Sequence, residues 1–209
     1  MQSYYTVTTT EIWEQVIDKS RFIGIVCPVT DVEEVEIQLL SIKEKYPNAR
    51  HYCYAYRLYD GHLEKSTDDG EPQGTGGRPI LEILQHRKVW NVLVVVVRYF
   101  GGILLGTGGL TRAYGGTARQ VIDKIHLDYL VPHVRFFLTI SYTWYEPLRY
   151  QFKMKPWIIN EEEFLADIRL EVLVPLEDQD KFIDWINDFT QRQAIIQKLE
   201  VILRSPKVF

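Results

Sequence analysis

His51, Asp68, Asp69, Glu71, Arg78, Arg98 and Arg112 are the side chains in this chain whose types and spacing could do chemistry. Arg98 and Arg112 stand in the stretch RYFGGILLGTGGLTRAYGGTAR, residues 98–119, which holds seven glycines, three arginines and no acidic side chain. Gly101, Gly102, Gly106, Gly108 and Gly109 fall between the two arginines. Glycines let backbone N–H groups approach a ligand closely, and a helix N-terminus favours an anion. The chemistry expected is therefore anion binding by Arg98, Arg112 and the glycine backbone. The competing reading is a tight strand-to-helix packing joint, since neither a dinucleotide fingerprint nor a P-loop pattern is present.

The carboxylates Asp68, Asp69 and Glu71 lie in the long segment DGHLEKSTDDGEPQGTGGR, residues 60–78. A structureless segment of this length inside a domain is uncommon unless it has a function. Three readings are open: a hard-cation site, pairing with Arg98 and Arg112 across a site, or a solvated acidic turn. His51 could act as a general base, or be a hydrogen-bonded structural residue. All these residues are expected to converge on one concave patch beside the Gly101–Gly109 turn, where the carboxylates supply negative charge until a phosphate displaces them. No serine or threonine sits in a nucleophile-elbow context. No cofactor and no metal is assigned.

The elements that must position these residues are legible in outline. Val92 to Val97 reads as a buried strand. Leu110, Ala113, Ala118, Val121, Ile122 and Ile125 repeat at helical spacing after it. Arg21 to Val29 reads as a strand, and Asp31 with Glu34 resembles a capping box opening a helix that Pro47-Asn48 ends. Arg50 to Tyr59 alternates as a strand, with His51, Cys53, Ala55 and Arg57 on one face. Residues 60–78 read as a loop, and Pro79 as the first position of a short helix.

Twelve of the thirteen glycines fall between Gly61 and Gly116, so the chain changes character after the glycine-rich helix. A boundary is expected near Pro132, giving domains at 1–130 and 134–209. The second half reads strand, helix, strand, strand, helix, strand: Val134 to Tyr142, Glu146 to Met154, Trp157 to Ile159, Phe164 to Val174, Asp178 to Thr190 and Ala194 to Leu203. That is the ferredoxin-like order. Its aromatic residues are spaced as core, and the domain is read as a support for the first.

The net charge is −4, and each half carries −2. This argues against an extended nucleic-acid track, which needs a broad basic surface, but leaves room for a local basic pocket. The two cysteines, Cys27 and Cys53, match no zinc or disulfide spacing. No stretch is long enough to span a membrane and no secretory segment opens the chain, so the expected location is the cytoplasm.

KSRFIG at 19–24, HYCYAYR at 51–57, DDGEPQGTGGRPIL at 68–81 and VVVVRYFGGILLGTGGLTRAYGG at 94–116 together resemble the IMPACT family, specifically its bacterial two-domain YigZ-like members. Tyr52, Gly76 and Thr111 depart from the residues common in the family. The resemblance implies an α+β chain with an N-terminal ribosomal protein S5 domain 2-like fold. It also implies a C-terminal domain like a terminal domain of elongation factor G. Eukaryotic IMPACT proteins restrain a starvation-responsive translation kinase with the help of an additional RWD domain. The motifs here begin within about twenty residues of the first, so that partner is not carried over.

Two functions are expected from this. One is a non-catalytic, translation-linked regulator that binds RNA phosphate or a ribosome-associated factor. The other is an enzyme acting on a phosphorylated or carboxylated small molecule, with loop carboxylates as base or metal ligand. The negative charge favours a compact pocket, and the missing catalytic motif favours binding.

Overall fold

The computed structural model describes residues 2–206. The chain forms two compact units, one of Tyr4–Asp128 and the other of the residues from Tyr129 onward.

The first unit is built on an antiparallel sheet. Its strands are β2 (Glu11–Ile17), β3 (Ser20–Pro28), β4 (His51–Leu58), β5 (Leu63–Thr67) and β6 (Val92–Tyr99), in the order β2-β3-β6-β4-β5. A short strand β1 (Tyr4–Thr6) precedes them. Strand β6 is an unbroken apolar run because both of its faces are covered. Val92, Val94 and Val96 pack with Ile80, Leu84, Leu110, Tyr114 and Val121 of helices α2 (Gly77–His86) and α3 (Gly106–Lys124). Leu93, Val95 and Val97 pack with Val35 and Ile42 of helix α1 (Val32–Lys45) on the other face. The period of two along a strand makes this division. Asp31 caps α1 through the Glu34 N–H at 2.8 Å, and Glu34 reaches back to the Thr30 N–H at 2.7 Å.

Two differences from the sequence reading matter for the site. Residues 60–78 are not a structureless loop: β5 pairs with β4 from Tyr54↔Thr67 to Leu58↔Leu63. Its alternation is hidden because Leu63 is its one large apolar residue. Helix α2 begins at Gly77, two residues before Pro79, because the Asp68 carboxylate accepts from the N–H groups of Gly74, Gly76 and Gly77 at 2.7, 2.9 and 2.9 Å. A cap delivered from nine residues upstream leaves no local signature.

The second unit has the element order β7 (Asp128–Ile140), α4 (Tyr142–Phe152), β8 (Ile158–Phe164), β9 (Ile168–Pro175), α5 (Gln179–Phe189) and β10 (Ile195–Arg204). Its strands lie β10-β7-β9-β8, every neighbouring pair antiparallel. Phe136, Leu138, Leu148, Phe152, Trp157, Phe182 and Ile186 fill one core, which accounts for the aromatic spacing. Helix α4 starts at Tyr142, four residues before the expected Glu146, with Pro147 inside it. Strand β8 extends through the glutamates to Phe164, and β9 begins only at Ile168.

Candidate functional site

Antiparallel pairing sets His51 of β4 directly opposite Arg98 of β6, with Phe22 of β3 on Arg98's other side. Arg98 is thus held on the central strand, its side chain 5% exposed. Its Nη1 donates to Glu71 Oε1 at 2.6 Å, and Nη2 lies 3.4 Å from Ser20 Oγ. Glu71, 4% exposed, is the counter-charge that lets the guanidinium stay buried. The same Glu71 oxygen accepts from the Tyr114 hydroxyl at 2.8 Å and lies 3.7 Å from His51 Nε2. Burial, reinforced by Cys53 and Glu71, pushes the Tyr114 hydroxyl far above its usual range, so it stays a donor.

The segment that delivers Glu71 is pinned at three points. Asp68 is fixed by the Gly74 amide and by the Gly76 and Gly77 amides at the start of α2. Burial raises its pKa, but those amides together outweigh it and hold the carboxyl below its usual range. Asp69 accepts from the Tyr52 N–H at 2.7 Å, and its carbonyl lies 2.8 Å from His51 Nδ1. A carbonyl only accepts, so Nδ1 carries the proton. Cys53 donates to the Asp68 carbonyl at 2.9 Å, and burial raises its thiol pKa to about 12, so it is inert at neutral pH.

Beside this cluster lies a hollow of about 460 Å³ lined by Arg50, His51, Glu71, Arg98 and the start of α3 at Gly106 and Thr107, with Phe100 and Leu104 at its apolar side. No side chain caps α3, and its first turn carries no acidic residue. Arg50 has no ionic partner among the described residues, and the buried Nε of Arg98 has no hydrogen-bond partner. One wall of the hollow thus offers one cation, Arg50, without an ionic partner among the described residues, with the backbone amides of a helix end beside it.

The expected residues separate into three groups. His51, Glu71, Arg98 and Gly106 meet at the hollow. Asp68 and Asp69 are committed to backbone amides beside it, so neither is poised as a base or metal ligand. Arg78 and Arg112 are elsewhere. Arg78 is exposed and pairs with Glu82 at 2.9 Å, while Arg112 lines a different groove, between α2 and α3. The single patch flanked by Arg98 and Arg112 does not form. Leu110 of α3 faces the hollow, and Arg112 lies about 200° further round the helix.

The glycines divide likewise. Gly106 opens α3 with a positive φ of 66°, and Gly102 has a positive φ of 86°. Gly101 is where β6 leaves the sheet, against the backbone of Lys19: a Cβ there would stand 2.0 Å from the Lys19 carbonyl carbon. Gly109 packs on Leu105, and Gly108 lies beside Arg112.

Sequence reasoning missed Arg50, Phe100, Leu104 and Thr107. Only the pairing of the Arg50 N–H with the Arg98 carbonyl, at 2.9 Å, brings Arg50 to the site. Among the described residues no group of three or more His, Cys, Asp and Glu is placed to hold a metal ion. No helix among them is long and apolar enough to cross a membrane.

The fold and its site define a two-domain protein of a recognisable class. The family model for the Impact N-terminal domain matches residues 18–122, the unit that carries the hollow, and a domain of unknown function (DUF1949) matches residues 138–191. The IMPACT family member YvyE of Bacillus subtilis is 33% identical over 202 residues, covering 96% of this chain and 93% of that protein. YigZ of Escherichia coli is 36% identical over 190 residues, covering 88% and 92%. Protein IMPACT of the rabbit, Oryctolagus cuniculus, matches 42% of this chain and 29% of its own length at 43% identity. A crystal structure of a hypothetical protein superposes with a TM-score of 0.62 at 30% identity, covering 96% of this chain and 98% of that one. The chain belongs to the IMPACT family, as a two-domain member like YvyE and YigZ.

Proposed function

We propose that the protein is a non-catalytic, translation-linked binding protein of the cytoplasm that grips an RNA phosphate in the hollow at the start of α3. The observation that carries this reading is the uncapped α3 N-terminus beside the unpaired Arg50 and the incompletely partnered Arg98. A phosphate there would accept from backbone amides and from Arg50, while Glu71 keeps Arg98 neutralised and in place. The apolar Phe100 and Leu104 at the same hollow suit a nucleobase attached to that phosphate. The link to translation rests on reading the first unit as ribosomal protein S5 domain 2-like. The strand order of the second unit, with its β-α-β-β-α-β succession, supports a ferredoxin-like domain resembling the terminal domain of elongation factor G.

The test is fluorescence anisotropy with labelled decauridylate, run beside ribosome co-sedimentation. Binding should weaken at least fivefold in Arg50→Ala with an unchanged melting temperature. The salt dependence should be shallow, with a slope near that of one or two phosphates, about −0.7 each for a single strand. Absence of binding at low salt, or indifference to Arg50→Ala, would refute the reading.

His51 favours a second reading, an enzyme acting on a phosphorylated or carboxylated small molecule. Its proton is fixed on Nδ1 by the Asp69 carbonyl, which leaves the Nε2 lone pair to take a proton, and Glu71 at 3.7 Å would hold the resulting imidazolium. Since Asp68 and Asp69 are occupied, His51 is the base in that case. Mass spectrometry of small molecules co-purifying with the protein separates the two: a stoichiometric phosphorylated metabolite favours the enzyme.

A further inference from the structure

A groove of about 1220 Å³ lies between α2 and α3, and the hollow at the start of α3 does not use it. The apolar or bare lining of its floor comes from Pro79 and Ile83 of α2, Gly115 and Gly116 of α3, and Tyr5 and Leu127. Four cations line it: Arg87, which pairs with Asp123, and Lys88, Arg112 and Arg119. We propose that this groove docks an acidic, amphipathic segment of a partner protein, its apolar side chains on the floor and its carboxylates on Lys88, Arg112 and Arg119.

Charge complementarity carries the proposal. The chain is net negative, yet these three cations stand together without an ionic partner among the described residues. The other charged pairs in this region are already closed, Arg78 with Glu82 and Arg87 with Asp123. Arg112 and Arg119 are seven residues apart and so share one face of α3, about 10 Å apart along its axis. That span fits two carboxylates about two turns apart on a docked helix, each able to take a guanidinium in a two-pronged pair.

The floor points the same way. Gly116 lies inside α3, where glycine is costly, and a Cβ there would meet nothing within 4 Å. Packing within the fold does not call for glycine at that position, but a segment lying close on the helix does. Among the described residues Tyr5 is the one Phe, Tyr or Trp that lines the groove, and Glu82 lines it too, which favours a polypeptide over a nucleic acid strand. A single strand held there would have one phenol ring on which to stack successive bases, and the Glu82 carboxylate near its phosphates.

The experiment pans phage-displayed random 16-residue peptides on the full chain, then measures the selected sequences as labelled synthetic peptides. Enrichment of Asp and Glu among apolar residues is expected. Affinity should fall at least tenfold in Arg112→Gln/Arg119→Gln and at least fivefold in Gly116→Leu. Arg50→Ala, at the other site, should leave it unchanged. The paired glutamine variant alters only exposed side chains, so a normal melting curve confirms that any loss is local. No enrichment of acidic peptides, or equal binding to the paired variant, would overturn the proposal. So would loss of decauridylate binding in that variant, which would make the groove a nucleic-acid surface.

Discussion

Glu71 Oε1 stands 2.6 Å from Arg98 Nη1, and neither side chain is more than 5% exposed. Two opposite charges, brought together from a loop and from the central strand, are thus closed off from water beside an open hollow. The pair has to be stable on its own, because nothing bound is needed to complete it. Tyr114 fixes it from α3 and His51 flanks it from β4, so one carboxylate ties together a loop, two strands and a helix.

Removing one member should therefore cost fold stability before anything else. Glu71→Ala leaves Arg98 buried and unpaired, a class of change that costs about 3–5 kcal/mol. Arg78→Ala breaks an exposed pair of the same type, where about 0–1 kcal/mol is at stake. Urea unfolding of the two variants should separate them clearly. Equal midpoints would show that the buried cluster contributes no more than a surface pair.

The Asp68 cap should be visible in the pH dependence of stability. Its folded-state pKa is depressed, so the unfolded chain binds this proton more readily. The stabilisation is complete above the unfolded-state value, about 3.9 for Asp, and is lost as pH falls through the folded value. Wild type should exceed Asp68→Asn in unfolding free energy at pH 7, and the gap should close as the carboxyl protonates. Urea melts at pH 7 and in the acid range measure it. A gap that is constant with pH would mean that the amides hold the loop without the charge.

The glycines predict opposite signs. Gly101→Ala places a Cβ against the Lys19 backbone, which cannot move aside as a side chain would. A loss of about 2 kcal/mol or more is expected. Gly116→Ala puts a methyl into open space on a helix and should gain about 1 kcal/mol. Thermal melts of the two variants decide it, and a destabilised Gly116→Ala would contradict the account of the groove floor.

How much of this was legible in the sequence follows from whether a signal was local. The valine run of β6 and the periodic face of α3 are local, and both elements were readable from those residues alone. The βαββαβ order of the second half was readable for the same reason, although Pro147 masked the first turns of α4. The alternation of β5 was obscured by its polar, partly exposed residues, and the cap from Asp68 to Gly77 spans nine positions. The site failed differently. Glycine and arginine content suggested one anion patch, but content carries no direction. The inward positions of α3, Leu110, Ala113 and Tyr114, already imply that Arg112 turns away from Arg98's hollow. Arg50 could not be found at all, since it reaches the site only through pairing with Arg98.

The same geometry assigns different behaviour to three arginines that look alike in the sequence. Arg98 is buried and tied to Glu71, Ser20 and the ring of Phe22. Replacing it with alanine removes a structural member, so Arg98→Ala should lower the melting temperature first and lose anion affinity as a consequence. Arg50 is exposed at the hollow and takes part in no ion pair among the described residues. Arg50→Ala should leave the melting temperature within about 2 °C, since surface changes away from packed features cost less than about 0.5 kcal/mol. It should still weaken binding of decauridylate, because it removes a charge-assisted bond to the phosphate. Arg112 lies on the other side of α3 and should affect neither the melting temperature nor that affinity. Anisotropy titrations and thermal melts on the three variants give three distinct signatures. If Arg112→Ala weakens decauridylate binding as much as Arg50→Ala does, the hollow and the groove form one surface for the strand. The separation argued from Leu110 then fails.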